Sequence, residues 1–170
     1  MAEDAKKKAP TETNYITPAG FRRLAEELTF LRTKKRPEVV GALSDAAAEG
    51  DRSENAEYIY RKRQLREVDR RLRFLSKRID VIQIVDPSAQ RRRDRVFFGA
   101  TVTVEDDTGA EATYRIVGVD EIDGAAGDIS WRSPVGRALL GKAEGDTVVI
   151  RLDAGARELT IAEITYPDAT

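Results

Sequence analysis

Cysteine and histidine are both absent from these 170 residues, and methionine and tryptophan occur once each. Without cysteine there is no disulfide and no thiolate nucleophile. Without histidine every Ser-His or Cys-His arrangement is excluded, and zinc sites built on either residue are excluded as well. Carboxylates alone remain as metal ligands, and oxygen-only sites suit hard cations such as magnesium or manganese. No run approaches the roughly 18 apolar residues of a membrane span, and no signal peptide is visible. The expectation is a cytoplasmic protein with no membrane partner.

A net charge of −1 overall hides strong segregation. Residues 1–60 carry 10 basic and 11 acidic side chains, residues 61–95 carry 13 and 5, and residues 96–170 carry 6 and 14. The middle is therefore +8 and the last part −8, a polarity able to orient the molecule in a strong field. With 35% charged and 41% hydrophobic residues, the chain has much surface for its core, as an elongated helical part requires.

Residues 1–13 lack apolar periodicity and read as a disordered tail whose lysines are open to nucleic-acid contact. Thr17-Pro18 then starts a helix, threonine at the N-cap and proline at the first position. Phe21, Leu24, Leu28 and Leu31 follow at the spacing of one helical face. Pro37 is expected to kink the helix or start a new segment, after which Val39, Leu43 and Ala46 resume the stripe. Gly50 turns the chain. Leu65, Val68, Leu72, Leu75, Ile79 and Ile82, separated by 3, 4, 3, 4 and 3, form a heptad seam on a second helix expected from Ser53 to about Val85. A short connection favours an antiparallel hairpin within one chain, over about 14–88, and a monomer.

Arg91-Arg92-Arg93 reads as part of a basic linker over 89–95. Beyond it the period changes to two, with strands at 101–105, 114–118, 147–151 and 159–164. Asp107-Thr108-Gly109 supplies a turn, and Ser133-Pro134 opens a short helix over Val135 to Leu140. The fold class is thus an N-terminal antiparallel coiled-coil hairpin followed by an α+β domain over 96–170, a small antiparallel sheet with one helix. Phe97, Phe98 and Trp131 are assigned to the core of that domain.

The turn Gly50-Asp51-Arg52-Ser53-Glu54-Asn55-Ala56-Glu57-Tyr58 holds the chemistry. With Ser53 as the cap, Asp51 and Glu54 point outward from one end and can share a magnesium ion. Two carboxylates are too few to hold that ion tightly, because it keeps most of its water shell unless other oxygens complete it. Residue types alone favour plain capping, since acids near a helix N-terminus stabilise it by roughly 0.3–1 kcal/mol. Arg63, Arg66, Arg70, Arg73 and Lys77 follow a helical spacing that lines them up. Their heads suit a phosphate backbone or an acidic channel wall. The competing reading is a solvated face in which Glu67 and Asp69 neutralise the arginines. Tyr58 and Tyr60 have the spacing of packing residues, although each also suits stacking on a base.

In order along the chain, Tyr15-Ile16-Thr17-Pro18-Ala19-Gly20, the turn from Gly50 to Tyr58, and Ser133-Pro134-Val135-Gly136-Arg137-Ala138-Leu139-Leu140-Gly141-Lys142 with Glu144-Gly145-Asp146 resemble the Gre family of bacterial transcript-cleavage factors. The likeness spans Tyr15 to Pro167. Arg36-Pro37-Glu38-Val39, the stretch Leu65 to Arg73, and Val96-Phe97-Phe98-Gly99-Ala100 look more like the GreB branch than GreA.

The resemblance implies a coiled coil joined to an FKBP-like domain, and a factor with no enzymatic activity of its own. It implies that the globular domain docks on RNA polymerase at its secondary channel, through Asp120, Glu121, Ser133 and Pro134. The tip acids Asp51 and Glu54 then help hold magnesium in the polymerase active centre, so that the polymerase cleaves the 3′ segment of backtracked nascent RNA and arrested complexes resume. Ser53, Asn55 and Tyr58 would support the tip. Arg52, Arg63, Arg66, Arg70, Arg73 and Lys77 would contact RNA or the channel. A regulator that occludes the channel without cleavage is the alternative. Prolyl isomerase activity is not implied, because fold does not carry function and no aromatic-lined pocket is legible.

Overall fold

The computed structural model describes residues 13–51 and 54–169. The expected N-terminal tail therefore lies, up to residue 12, outside the described residues. The chain divides into two units, one of residues 21–81 and the other of the described residues up to Gly20 together with those from Ile82 onward.

Helix α1 (Pro18–Phe30), whose first three residues belong to the second unit and the rest to the first, continues through a π-helical turn, Leu31–Lys35, into α2 (Arg36–Ala48). Thr17 Oγ1 accepts from Gly20 N at 3.1 Å, the expected cap at the start of α1. Pro37 explains the wide turn. Proline cannot donate to the carbonyl four residues back and its ring clashes with it. The backbone instead bonds five residues back, Arg36 N to Leu31 O, and α2 restarts with proline in its first turn.

Helix α3 spans Ala56–Ile79. It packs against α2, and the links between the two rods run in opposite order. Glu27 pairs with Arg71, Arg36 with Asp69, and Ala46 with Asn55. The Glu27–Arg71 bond is bidentate at 2.6 and 2.8 Å, and the hydrogen bond from Arg71 holds the Glu27 carboxyl below its ordinary range. Leu24, Val39, Ala46, Val68 and Leu75 are buried, so both predicted apolar stripes face inward.

Two expectations about α3 are corrected. Its cap is Asn55, and the helix starts at Ala56. The seam stops at Ile79, because Ile82 belongs to strand β2 (Ile82–Ile84), which pairs in parallel with β1 (Asn14–Ile16). That pairing draws both chain segments into the second unit and puts the boundary at residue 82, ahead of the basic stretch expected to be the linker.

The second unit holds a five-stranded sheet in the order β5 (Asp128–Ser130), β4 (Glu111–Val117), β3 (Thr101–Asp106), β7 (Gly155–Thr165), β6 (Thr147–Leu152). The sheet is mixed, because β4 and β5 are parallel while the other pairs are antiparallel. The expected wholly antiparallel sheet omitted β5, which is three residues long. Strands alternate buried and exposed positions, and Val102, Val104, Ile116, Ile150 and Ile161 meet Leu139 of helix α4 (Pro134–Leu139). Ser133 Oγ caps α4 by accepting from Gly136 N at 3.0 Å. Phe97, Phe98 and Trp131 are half-buried, and Tyr15 packs against both Phe98 and Trp131, with ring centroids 6.0 and 5.3 Å apart.

Candidate functional site

Between α2 and α3 the chain turns through Gly50, whose φ of 139° suits a residue without a Cβ. Asp51 and Glu54 are both exposed in this connection, and Arg52 and Ser53 lie outside the described residues. Asn55 anchors it. Its Oδ1 accepts from Tyr58 N at 3.0 Å, capping α3, and its Nδ2 donates to the Ala46 carbonyl of α2 at 2.7 Å. One side chain thus satisfies an orphan amide at the start of one helix and a carbonyl near the end of the other. The two acids lie between Ala46 and Asn55, which are nine positions apart in the chain.

Two exposed carboxylates fit a loosely shared hard cation rather than a resident one. Among the described residues no group of three or more Asp, Glu, His or Cys is arranged to hold a metal.

The basic row follows along α3. Arg63, Arg66, Arg70, Arg73 and Lys77 are all exposed. The neutralised-face reading holds only for Arg63, 3.4 Å from Glu67, since Asp69 is taken by Arg36 at 2.8 Å. Arg66, Arg70, Arg73 and Lys77 have no acidic partner among the described residues. Tyr58, Ile59, Lys62, Arg63, Arg66, Glu67 and Arg70 line a groove of about 620 Å³. Ile59 is 54% and Tyr60 56% exposed, so Tyr60 is not a packing residue. Ile59 and Lys62 were missed as groove residues, although their offsets of three and four from Arg63, Arg66 and one another place them on a shared helical face.

In the second unit, Asp120 accepts from Asn14 Nδ2 at 2.9 Å, and Arg132 Nη2 donates to the Thr13 carbonyl at 3.0 Å. The N-terminal segment therefore touches both expected docking stretches. Pro134 is exposed, and the Ser133 hydroxyl is occupied as a cap. Glu121 is 5% exposed, and its carboxylate faces inward to Thr17 and Gly118, so it is not itself on an exposed edge.

Two models of a known family match most of the chain. The N-terminal model of the GreA/GreB transcription elongation factors matches residues 14–84, and the C-terminal model matches residues 90–166. The chain belongs to the GreA/GreB family of transcription elongation factors. Within it, the chain is 51% identical over 157 residues to transcription elongation factor GreB of Neisseria meningitidis serogroup B, covering 92% of this chain and 96% of that one. It is 53% identical over 155 residues to GreB of Pasteurella multocida, covering 91% and 98%. It is 50% identical over 159 residues to GreB of Pseudomonas aeruginosa, covering 92% and 93%. Among solved structures, a GreA/GreB elongation factor from Nitrosomonas europaea is 22% identical, covers 91% of this chain and 100% of that one, and superposes with a TM-score of 0.41.

Proposed function

We propose that this protein binds RNA polymerase and stimulates the polymerase to cleave backtracked nascent RNA, acting as an accessory factor with no activity of its own. The observation that carries the reading is the pair of exposed acids, Asp51 and Glu54, in the short connection between two packed helices, followed along α3 by Arg66, Arg70 and Arg73, which have no acidic partner among the described residues. The helical unit serves as a coiled-coil prong that enters the secondary channel, and the second unit serves as an FKBP-like domain that docks outside it.

Asp51 and Glu54 would supply two carboxylate oxygens to a magnesium ion shared with the polymerase. Such an ion, when bound, polarises the scissile phosphate and lowers the pKa of a water molecule. The tip's own contribution is position. Asn55 holds the loop to both helices, so the oxygens arrive with little ordering left to be done. Arg66, Arg70 and Arg73 contact the phosphates of the displaced single strand, and Tyr58 and Tyr60 offer faces on which its bases stack. Asp120 and Pro134 belong to the docking edge. The protein acts as a cytoplasmic monomer.

The test uses stalled, backtracked complexes with labelled RNA and magnesium. Asp51→Asn and Glu54→Gln should each abolish stimulation of cleavage while polymerase binding is retained. Full stimulation by both variants would overturn the reading.

A further inference from the structure

Glu121 was expected on the docking edge, yet it is one of only four buried polar or charged side chains among the described residues, with Asn14, Asp128 and Ser130. Its carboxylate accepts three hydrogen bonds. Thr17 N donates to Oε2 at 3.1 Å, Gly118 N donates to Oε2 at 2.9 Å, and the Thr17 hydroxyl donates to Oε1. That hydroxyl also accepts from Gly20 N, so the first turn of α1 is capped by a side chain that Glu121 itself orients. Both backbone donors converge on Oε2, and Oε1 is left to the Thr17 hydroxyl, so the two oxygens have separate tasks.

The surroundings are shaped around it. A Cβ at Gly20 would lie 2.2 Å from Glu121 Oε1, and one at Gly118 would lie 2.3 Å from the Tyr15 carbonyl and 2.9 Å from Glu121 Oε2. Such approaches exclude any side chain at either glycine unless the carboxylate or β1 is displaced. Next to Glu121 the chain returns to the surface. Asp120 is held by Asn14, and Ile122 is 58% exposed.

We propose that Glu121 is a positioning residue, clasping the 119–122 loop to the first turn of α1 so that Asp120 and Ile122 are presented to the polymerase in a fixed geometry. The proposal rests on the docking reading above and deepens it. Glu121 never meets the partner, and it acts through residues that do.

The clasp is tested in two ways, one of which needs no polymerase. In the intact protein, Glu121→Gln keeps the size but gives the two backbone amides a weaker, amide acceptor and turns an NH2 donor toward the Thr17 hydroxyl. Amide hydrogen exchange at Thr17, Gly20 and Gly118 should accelerate at least 10-fold, while core amides such as Val102 and Ile161 keep their protection. In the cleavage assay, the concentration giving half-maximal stimulation should rise about 10-fold, with the maximum at saturation retained. Thr17→Val should reproduce both shifts, Thr17→Ser should restore both, and Thr17→Val with Glu121→Gln should not exceed the larger single effect. If Glu121→Gln does not fold, the two threonine variants carry the same comparison.

Unchanged exchange at the three amides in folded Glu121→Gln or Thr17→Val overturns the clasp. Accelerated exchange with an unchanged half-maximal concentration overturns its role in docking. A wild-type protein that stimulates no cleavage refutes the functional reading instead, and leaves the exchange result standing by itself.

Discussion

Replacing Asn55 by alanine removes two bonds from the one side chain that joins both helices beside the acidic connection. The lost N-cap costs about 1 kcal/mol. The lost bond to the half-enclosed Ala46 carbonyl costs about another 1 kcal/mol, although Glu49 N, 3.3 Å away, still satisfies part of that carbonyl's capacity. A local loss of about 2 kcal/mol raises the open population of the tip by roughly 30-fold. Exchange of the Tyr58 amide should speed up by that factor, because the amide donates to Asn55 Oδ1 in the closed state. Cleavage stimulation should fall by about 10-fold or more, since ordering of Asp51 and Glu54 would then have to be supplied during the reaction. Asn55→Asp separates the two bonds, as it keeps an acceptor for Tyr58 N and loses the donor to Ala46. It should retain the amide's protection and recover only part of the stimulation. If Asn55→Ala leaves both Tyr58 exchange and the cleavage rate at wild-type values, the argument that Asn55 preorganises the tip is wrong.

Leu75, fully buried in the helical unit, should cost about 2–5 kcal/mol when changed to alanine, read as a lower denaturation midpoint. Changing Arg66 and Arg70 to alanine removes two unpaired cations from the groove. If both contact single-stranded phosphates, the dependence of log half-maximal concentration on log salt should become shallower by about 1.4, measured between about 50 and 200 mM salt. The Tyr166 hydroxyl accepts from Phe97 N at 2.8 Å and donates to the Arg95 carbonyl at 2.6 Å, so Tyr166→Phe should cost about 2 kcal/mol near neutral pH. Burial raises this phenol's pKa above its ordinary value near 10, which favours the neutral form in the fold. Its contribution is therefore complete below pH 10 and disappears as the pH rises through the folded-state value. The variant's stability should decline less steeply than the wild type's in that alkaline range, as denaturation at stepped pH would reveal.

Much of the helical unit was legible because local periodicity determines it. Leu24, Val39, Val68 and Leu75 are apolar at helical spacing and are buried. The caps at Thr17 and Ser133 follow from the residue type before a proline. What escaped detection depends on partners distant in the chain. Ile82 continues the heptad perfectly, yet it pairs with Asn14, and nothing local announces a parallel partner 68 residues away. Strand β5 is too short to show a period and exists because β4 lies beside it, with Arg115 bonded to Asp128 at 2.6 and 2.7 Å. The cap of α3 was misplaced because serine and asparagine compete two residues apart, and the Ala46 carbonyl decides for Asn55. At the site, the exposure of Asp51, Glu54 and the arginine row follows from their charge and spacing, whereas the role expected of the two acids came from the family resemblance. The inward orientation of Glu121 was not, since a carboxylate among acidic neighbours reads as surface until Thr17 and the two glycines are brought to it.

The widened turn at Leu31–Lys35 makes the first rod tolerant to a change of length at one place. Leu31 and Val39 are eight residues apart, which in a regular α-helix would rotate them roughly 80° out of phase, whereas seven would leave them nearly aligned. The bulge absorbs the surplus residue, so deletion of one amino acid between Arg32 and Lys35 should relax it to ordinary geometry and preserve every contact toward the tip. The same deletion anywhere in α3 would twist its inward stripe away from its partner. A deletion scan along both rods, read by melting temperature, should thus find one permissive window, at residues 32–35.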